Sequence, residues 1–169
     1  MGEKSKEQKP DRAYRLAFDY ESKYGCCTQC VVAAIEDIFN LKMDDVFKAG
    51  HSLAGGIGLS GKGTCGALSG GAIALSYKYG RERKDFHRGR GMKSYVMTKK
   101  LYDRFVKEFS SCICKDVQKK IMGRSFDLWD AGDFKKFEEA GGHRDKCPDV
   151  AGKVAKWVSE IILTGHLVS

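Results

Sequence analysis

The sequence predicts an all-α fold. Several segments place apolar residues at helical spacing, whereas few alternate with a period of two. Only two prolines interrupt the 169 residues, and a composition of 42% hydrophobic and 31% charged residues is that of a globular domain with its own core. We therefore expect a compact bundle of about five to seven helices, with a glycine-rich loop before a central helix rich in glycine and alanine.

The N-terminal half is expected to contain three helices and then the loop. Residues 1–11 form a polar N-terminal tail, and a single helical redox domain is expected over 12–169. The first helix should turn Leu16, Ala17 and Tyr20 inward. The expected segments are helices at 12–24, 27–39 and 43–50 and a glycine-rich loop at 55–63.

The C-terminal half is expected to supply helices at 65–79, 91–112, 113–122 and 148–163, while residues 124–146 are expected to be irregular apart from a short helix at 131–140. Thr64 is a natural N-cap for the first of them and Gly80 its stop signal, while Gly123 ends the third and Pro148 suits the first turn of the last. On the second, the apolar stripe facing the core is expected to consist of Met92, Tyr95, Val96, Tyr102, Phe105, Val106 and Phe109.

Seven cysteines are the unusual feature of the composition: Cys26, Cys27, Cys30, Cys65, Cys112, Cys114 and Cys147. Four of them stand at predicted helix starts, namely Cys27, Cys65, Cys114 and Cys147. Unpaired N–H groups and the helix dipole favour an anion at such a position. A thiol there is expected to have a lowered pKa, and its thiolate is both a nucleophile and a metal ligand. If the four helix starts converge, they form a pocket suited to a metal–thiolate centre.

The predicted helix that begins at Cys65 consists largely of glycine, alanine and serine, so most of its side chains are very small. Three glycines inside a helix cost about 1 kcal/mol each relative to alanine, so close packing of backbones or a cofactor must offset them. The preceding loop is expected to wrap its backbone around the same pocket. The candidate cofactor-contacting residues are therefore Gly63, Thr64, Gly66, Ala67 and Gly70.

The segment Cys65-Gly66-Ala67-Leu68-Ser69-Gly70 resembles the CGAxxG element of the C_GCAxxG_C_C family of redox-active proteins. That family has one cysteine before the element and two after it, and here Cys27, Cys114 and Cys147 are similar to those three. The resemblance covers residues from about 22 to 163.

The same domain resembles the iron–sulfur part of split-Soret cytochromes c, which implies a [2Fe–2S] cluster held by four cysteines. Carried over residue by residue, the implied ligands are Cys27, Cys65, Cys114 and Cys147. Haem c is not implied, because no CxxCH element is present. Cys26, Cys30 and Cys112 are additions to the family pattern, and their roles stay open.

Three other interpretations of these residues remain. Cys27-Thr28-Gln29-Cys30 has the spacing of a metal-free thiol–disulfide oxidoreductase, although the βαβ pattern of thioredoxin is missing. Four thiolates also suit zinc, although structural zinc sites normally use paired CxxC elements. Gly56–Lys62 reads GxxxxGK, but Gly63 stands where a P-loop has Ser or Thr, so nucleotide binding is disfavoured.

The charge and the hydropathy of the chain indicate which kinds of partner to expect. The net charge is +8, and the densest basic run, Arg81–Arg90, could steer an acidic redox partner protein. No recognition module accompanies this charge, so nucleic acid is not expected as a partner, and no apolar run is long enough for a membrane span. The polar N-terminus lacks the apolar stretch of a secretory signal, so a cytoplasmic location is expected. The sequence predicts electron transfer or redox sensing, and a homodimer sharing the site is compatible with it.

Overall fold

The computed structural model describes residues 3–89 and 91–165, and this part of the chain is helical throughout its regular structure. The all-α prediction is therefore confirmed. Eight α-helices follow one another: α1 (Glu3–Tyr24), α2 (Cys27–Phe39), α3 (Asp44–Ala49), α4 (Gly66–Tyr79), α5 (Met92–Phe109), α6 (Cys114–Met122), α7 (Ala131–Glu139) and α8 (Cys147–Thr164). Short 3₁₀ turns lie at His51–Leu53 and Arg83–Asp85, and a π-helical turn at Gly142–Lys146 leads into α8.

The core lies between α1, α2, α4, α5 and α8. Helix α1 packs along α8 and α2, while α4 packs against α2, α5 and α8. The side chains in the centre of these contacts are fully buried and belong to one cluster, which includes Ala17, Val31, Ile35, Leu75, Leu101, Phe105, Val154 and Val158. This core fixes where the starts of α2, α4 and α8 lie.

The glycines of α4 allow a close helix–helix approach. A Cβ atom on Gly70 would lie 2.5 Å from the carbonyl oxygen of Thr28 on α2. A Cβ atom on Gly71 would lie 2.6 Å from Leu101 Cδ2 on α5 and 2.8 Å from Val154 Cγ1 on α8. Since real Cβ atoms do not approach so closely, these glycines are required by packing, which accounts for their helix-propensity cost.

Helix boundaries agree with the sequence over most of the chain. Helix α2 spans the predicted residues, Gly123 ends α6 in the left-handed conformation, and Pro148 lies in the first turn of α8. Helix α1 starts at Glu3, so residues 3–11, expected as a polar tail, are helical. Two helix starts differ by one residue: the N-cap of α4 is Cys65 instead of Thr64, and α8 begins at Cys147 instead of Pro148.

The predicted inward stripe of α5 is wrong in part. Phe105 and Phe109 are buried, but Met92, Tyr95, Val96 and Tyr102 are exposed. The buried face is instead Ser94, Met97, Leu101, Phe105 and Phe109. Helix α5 carries apolar residues around much of its circumference, so the spacing of these residues alone does not determine which face is buried.

Among the described helices, none combines the length and the hydropathy needed to cross a membrane.

Candidate redox centre

The structure brings Cys27, Cys65, Cys114 and Cys147 to the wall of one small cavity of about 30 Å³. Cys27, Cys114 and Cys147 are the first residues of α2, α6 and α8, and Cys65 is the N-cap of α4. The rest of the wall is apolar except for one amide side chain and consists of Ala67, Val117, Gln118, Ile121 and Val150. Four helix starts that are remote in sequence thus contribute cysteines to the same small cavity.

A tight turn positions Cys27. Gly25 and Cys26 both adopt the left-handed conformation, with φ of 66° and 65°, and reverse the chain between α1 and α2. The Cys27 sulfur then lies against the first residue of α4, because a Cβ atom on Gly66 would be only 2.5 Å from Cys27 Sγ. Any side chain at Gly66 would therefore displace this sulfur.

A short two-stranded contact positions Cys65 beside Cys114. Thr64 and Ile113 form an antiparallel bridge. The Cys65 N–H donates to the Cys112 carbonyl at 2.8 Å, and the Cys114 N–H donates to the Gly63 carbonyl at 2.9 Å. Thr64 is engaged in this bridge and does not cap α4, which explains why the sequence placed the N-cap one residue early.

The glycine-rich loop closes over the Cys114 side of the cavity. Gly55, Gly56, Ile57, Gly58 and Leu59 all have positive φ, so the loop coils tightly. A Cβ atom on Gly56 would lie 2.8 Å from Cys114 Cβ. The loop backbone therefore touches the cysteine at a position where only glycine fits.

Of the five residues predicted to contact a cofactor, the structure places two at the sulfurs. Ala67 lines the cavity, and Gly66 abuts Cys27 Sγ. Gly63 packs against Gly56, Thr64 belongs to the bridge, and Gly70 faces the backbone of α2.

Backbone N–H groups point at two of the sulfurs. The Gly55 N–H donates to Cys27, and the Ala67 and Leu68 N–H groups donate to Cys65, each lowering the pKa of its thiol. Burial outweighs these donors: it raises the pKa of Cys65 to about 11 and raises the pKa values of Cys27, Cys114 and Cys147 further. The expectation of lowered pKa values is therefore wrong for the free thiols, because it considered the helix starts and not the desolvation.

The other three cysteines point elsewhere, and all seven are free thiols. Cys30 is buried and donates to the Gly25 carbonyl at 2.9 Å. The Cys26 sulfur lies 3.6 Å from the His51 carbonyl, and the Cys112 sulfur lies 3.9 Å from the Tyr102 hydroxyl. None of the three lines the cavity.

One buried carboxyl, that of Glu21, was not predicted from the sequence. Glu21 is only 2% exposed, and its negative charge is among the causes that raise the pKa values of all four cavity thiols, after their burial. Ala13, Ala17 and Glu21 are spaced four residues apart on the buried face of α1. A carboxylate in register with buried alanines is the sequence signal that would have identified it.

The cavity thiols do not surround a single point. Among the described residues, no three His, Cys, Asp or Glu side chains form a group that could hold one metal ion as they stand. The site is defined by its shared cavity and its four sulfur donors.

A compact helical fold with four cysteines lining one cavity defines a class of cysteine-centred helical proteins. The family model described as "Putative redox-active protein (C_GCAxxG_C_C)" matches residues 25–161. The chain therefore belongs to the C_GCAxxG_C_C family, and the predicted resemblance is confirmed, whereas the relation to split-Soret cytochromes c stays a prediction. No curated protein matches the chain, and no solved structure does.

Proposed function

We propose that the protein transfers electrons or senses redox state through a [2Fe–2S] cluster held by Cys27, Cys65, Cys114 and Cys147. The observation that carries the proposal is that four cysteines from four helix starts line one small cavity. Sites with four thiolate ligands are typical of such clusters.

The residues fit this group chemically. A cluster is a negatively charged metal–thiolate centre, and the N–H groups of Gly55, Ala67 and Leu68 already point at two of the sulfurs. Hydrogen bonds of this kind, together with low solvent exposure, set the reduction potential of a cluster. When bound, the cluster would supply one-electron chemistry, and the chain would fix its ligands and exclude water.

Burial favours metal ligation over thiol exchange. Thiol–disulfide exchange needs an accessible thiolate, but burial raises the pKa values of all four cavity thiols. Cys27 and Cys30 also face different surroundings, since Cys27 lines the cavity and Cys30 bonds to Gly25. A metal centre compensates for the burial, because it replaces the thiol proton with a cation.

Zinc is the other metal that suits four thiolates. A zinc ion draws its four sulfurs to about 2.3 Å from one point. The described side chains contain no group arranged around one ion. A two-iron cluster shares its four thiolates between two metal ions, so it does not require this single focus.

The test is anaerobic purification followed by iron, sulfide and zinc analysis and visible spectroscopy. The proposal predicts coloured protein with near-stoichiometric iron and sulfide. Serine in place of Cys27, Cys65, Cys114 or Cys147 should reduce the iron content strongly. The matched controls Cys26→Ser and Cys112→Ser, which alter thiols outside the cavity, should retain it.

Two results would overturn the proposal. Zinc in place of iron would identify a zinc-stabilised helical module. Colourless protein whose thiols titrate as redox pairs would identify a metal-free thiol–disulfide oxidoreductase.

We also propose an acidic redox partner protein. The described part of the basic run, residues 81–89, is largely exposed, and Arg90 lies outside the described residues. Association should weaken steeply as salt rises above about 0.1 M, where exposed charges are screened beyond about 10 Å. A reducing compartment such as the cytoplasm suits seven free thiols, and a homodimer would be tested by light scattering.

A further inference from the structure

The glycine-rich loop is both the cover of the cavity on its Cys114 side and part of the protein surface. A Cβ atom on Gly56 would lie 2.8 Å from Cys114 Cβ, and the Cys114 N–H donates to the Gly63 carbonyl at 2.9 Å. Ile57 and Gly58, the two residues that follow Gly56, are exposed. The loop thus contacts Cys114 at one residue and solvent at the next. Because electron transfer slows steeply with distance, this is a favourable place for an electron to enter or leave the cavity.

Two apolar side chains of this loop are exposed although their backbone is strained. Ile57 has a φ of 66° and is 55% exposed, and Leu59 has a φ of 59° and is 39% exposed. A positive φ is unfavourable for residues with a side chain, and most of all for a β-branched residue such as isoleucine. Burial in the core does not offset this strain, because neither side chain is buried. Strain of this kind is typical of functional segments.

Trp129 extends the apolar surface beyond the loop. Its side chain is 75% exposed, and its indole N–H donates to the Gly58 carbonyl at 2.9 Å. Trp129 also lines a cleft of about 550 Å³, whose largely apolar wall includes Tyr24, Leu59 and Phe134. Exposed aromatic rings beside apolar clefts are characteristic of protein interfaces, in which Trp and Tyr are enriched.

The same tryptophan borders a second cleft, of about 450 Å³, that is positively charged. Lys62 and Lys115 line this cleft, and both are exposed. Neither lysine forms an ion pair with a residue that the structure describes. The acidic residue among the lining side chains is Asp127, whose Oδ1 atom accepts from the Trp129 backbone N–H at 3.0 Å. Two positive charges against one negative charge favour a partner with an acidic surface.

We propose that an acidic electron-transfer protein docks on the surface formed by Ile57, Leu59, Lys62, Lys115 and Trp129, which we call the loop face. The inference rests on the proposed function, since it needs a redox centre in the cavity. The apolar side chains would form the centre of the interface and the two lysines its polar rim. The electron step balances one for one: the reduced centre loses one electron and the oxidised metal of the partner gains it, with no bond formed or broken. The basic run at 81–89 would contribute long-range attraction only.

The test measures electron transfer to two acceptors of opposite charge, the acidic blue-copper protein plastocyanin and the basic protein cytochrome c. Anaerobically purified holoprotein is reduced with dithionite, desalted and mixed with either acceptor in a stopped-flow instrument. Lys62→Glu/Lys115→Glu should slow transfer to plastocyanin about tenfold at low salt, and this difference should shrink as salt screens the charges. Transfer to cytochrome c should not be slowed, which shows that the cluster of the variant is intact.

A matched charge reversal in the basic run is the control. Arg83→Glu/Lys84→Glu makes the same change of net charge in an exposed segment. Because this segment acts only at long range, the control should slow transfer to plastocyanin by less than about threefold. Equal slowing by the two charge reversals would overturn the loop face.

The apolar part of the loop face has its own test. Ile57→Gly removes an exposed side chain and places glycine where φ is positive, so the unfolding midpoint should not decrease. Transfer to plastocyanin should nevertheless slow by about threefold or more. The control Val96→Ala shortens an exposed side chain on α5 and should leave the transfer rate unchanged. An unchanged rate in Ile57→Gly would remove the apolar centre from the proposed interface.

Docking can also be located without electron transfer. A carbodiimide joins a lysine amine to a carboxylate in contact with it, with loss of water, so cross-linked peptides from the mixture with plastocyanin should contain Lys62 or Lys115. Cross-links at Lys84 instead would overturn the loop face and leave the proposed function intact. Cross-links from these lysines to a second copy of this chain would show that the chain itself covers the surface, which also overturns the partner. Protein without any cluster would instead overturn the proposed function.

Discussion

The contact between Gly66 and Cys27 allows the sharpest test of how the backbone positions the sulfurs. In Gly66→Ala, the added methyl group would lie 2.5 Å from Cys27 Sγ, 2.7 Å from Thr28 Oγ1 and 2.9 Å from Ala54 Cα. The Ala54 contact involves backbone, so the cysteine side chain is the group that can move. The substitution should therefore displace the sulfur of one proposed ligand without removing any thiol.

The size of the effect follows from two opposing contributions. Alanine is favoured over glycine in a helix by up to about 1 kcal/mol, while overpacking of a well-filled interior costs about 1–3 kcal/mol. The net result should be a loss of about 1–2 kcal/mol in the free energy of unfolding, together with a marked loss of bound iron. Denaturant unfolding of the metal-free protein and iron analysis of the purified protein measure the two effects separately.

A helical glycine far from the cavity provides the control. Gly132 is exposed in the first turn of α7, where a Cβ atom would meet only Asp130 Oδ1, at 3.3 Å. Gly132→Ala should keep its iron and should not lose stability by more than a few tenths of a kcal/mol. If Gly66→Ala retained full iron content and wild-type stability, the close contact at Cys27 would not position the sulfur as argued.

Three further substitutions or titrations test other parts of the structure. Leu101→Ala removes a fully buried side chain that lies between α4 and α5. It should lower the free energy of unfolding by about 2–5 kcal/mol, measured in denaturant. An unchanged unfolding midpoint would contradict the assigned core face of α5. Asp130 is the N-cap of α7, and its side chain accepts a hydrogen bond from the Asp133 N–H at 2.7 Å. Asp130→Ala should therefore lower the free energy of unfolding by about 1 kcal/mol, measured in denaturant. The control Asp44→Ala changes an exposed aspartate and should lower it by less. Burial raises the pKa of Glu21 in the folded state above its value in the unfolded state, so the folded state binds the proton more tightly. The stability of the metal-free protein should therefore fall as the pH rises from about 4.3, the ordinary pKa of a glutamate, through the pKa of Glu21 in the folded state. This decrease should be smaller in Glu21→Gln, and an equal decrease in both proteins would show that Glu21 does not titrate in the fold.

Local signals in the sequence were sufficient for most helix boundaries. Gly123 and Pro148 mark a helix end and a helix start by backbone conformation alone, which depends little on the rest of the fold. The face of α5 was predicted less well, because Tyr95 and Tyr102 are exposed while Met97 and Leu101 are buried. On a helix that is apolar around much of its circumference, packing against α4 and α8 determines which face is buried, and the spacing of the apolar residues does not.

The sequence located the cysteines at helix starts, but it could not show that the helix starts meet. That proximity depends on the Thr64–Ile113 bridge and on the Gly56 contact with Cys114, and both join segments that are far apart in the sequence. The pKa values of the thiols likewise could not be predicted from the sequence. A helix start lowers the pKa of a thiol, but burial among α2, α6 and α8 raises it more, as at Cys65. Only the tertiary structure reveals which of the two effects dominates.

Spacing along the chain also cannot select the four thiols from the seven. Cys26 and Cys27 are adjacent, and Cys112 and Cys114 are two apart, yet only one member of each pair lines the cavity. The selection is made by the backbone: the left-handed residue at Cys26 turns the next side chain inward, and the bridge at Ile113 does the same for Cys114. Each proposed ligand is therefore attached to the start of a different helix, so a change that shifts any one of those helices also shifts a ligand. The stability of the bundle and the integrity of the site should consequently vary together, whereas thiols such as Cys112 can change without affecting either.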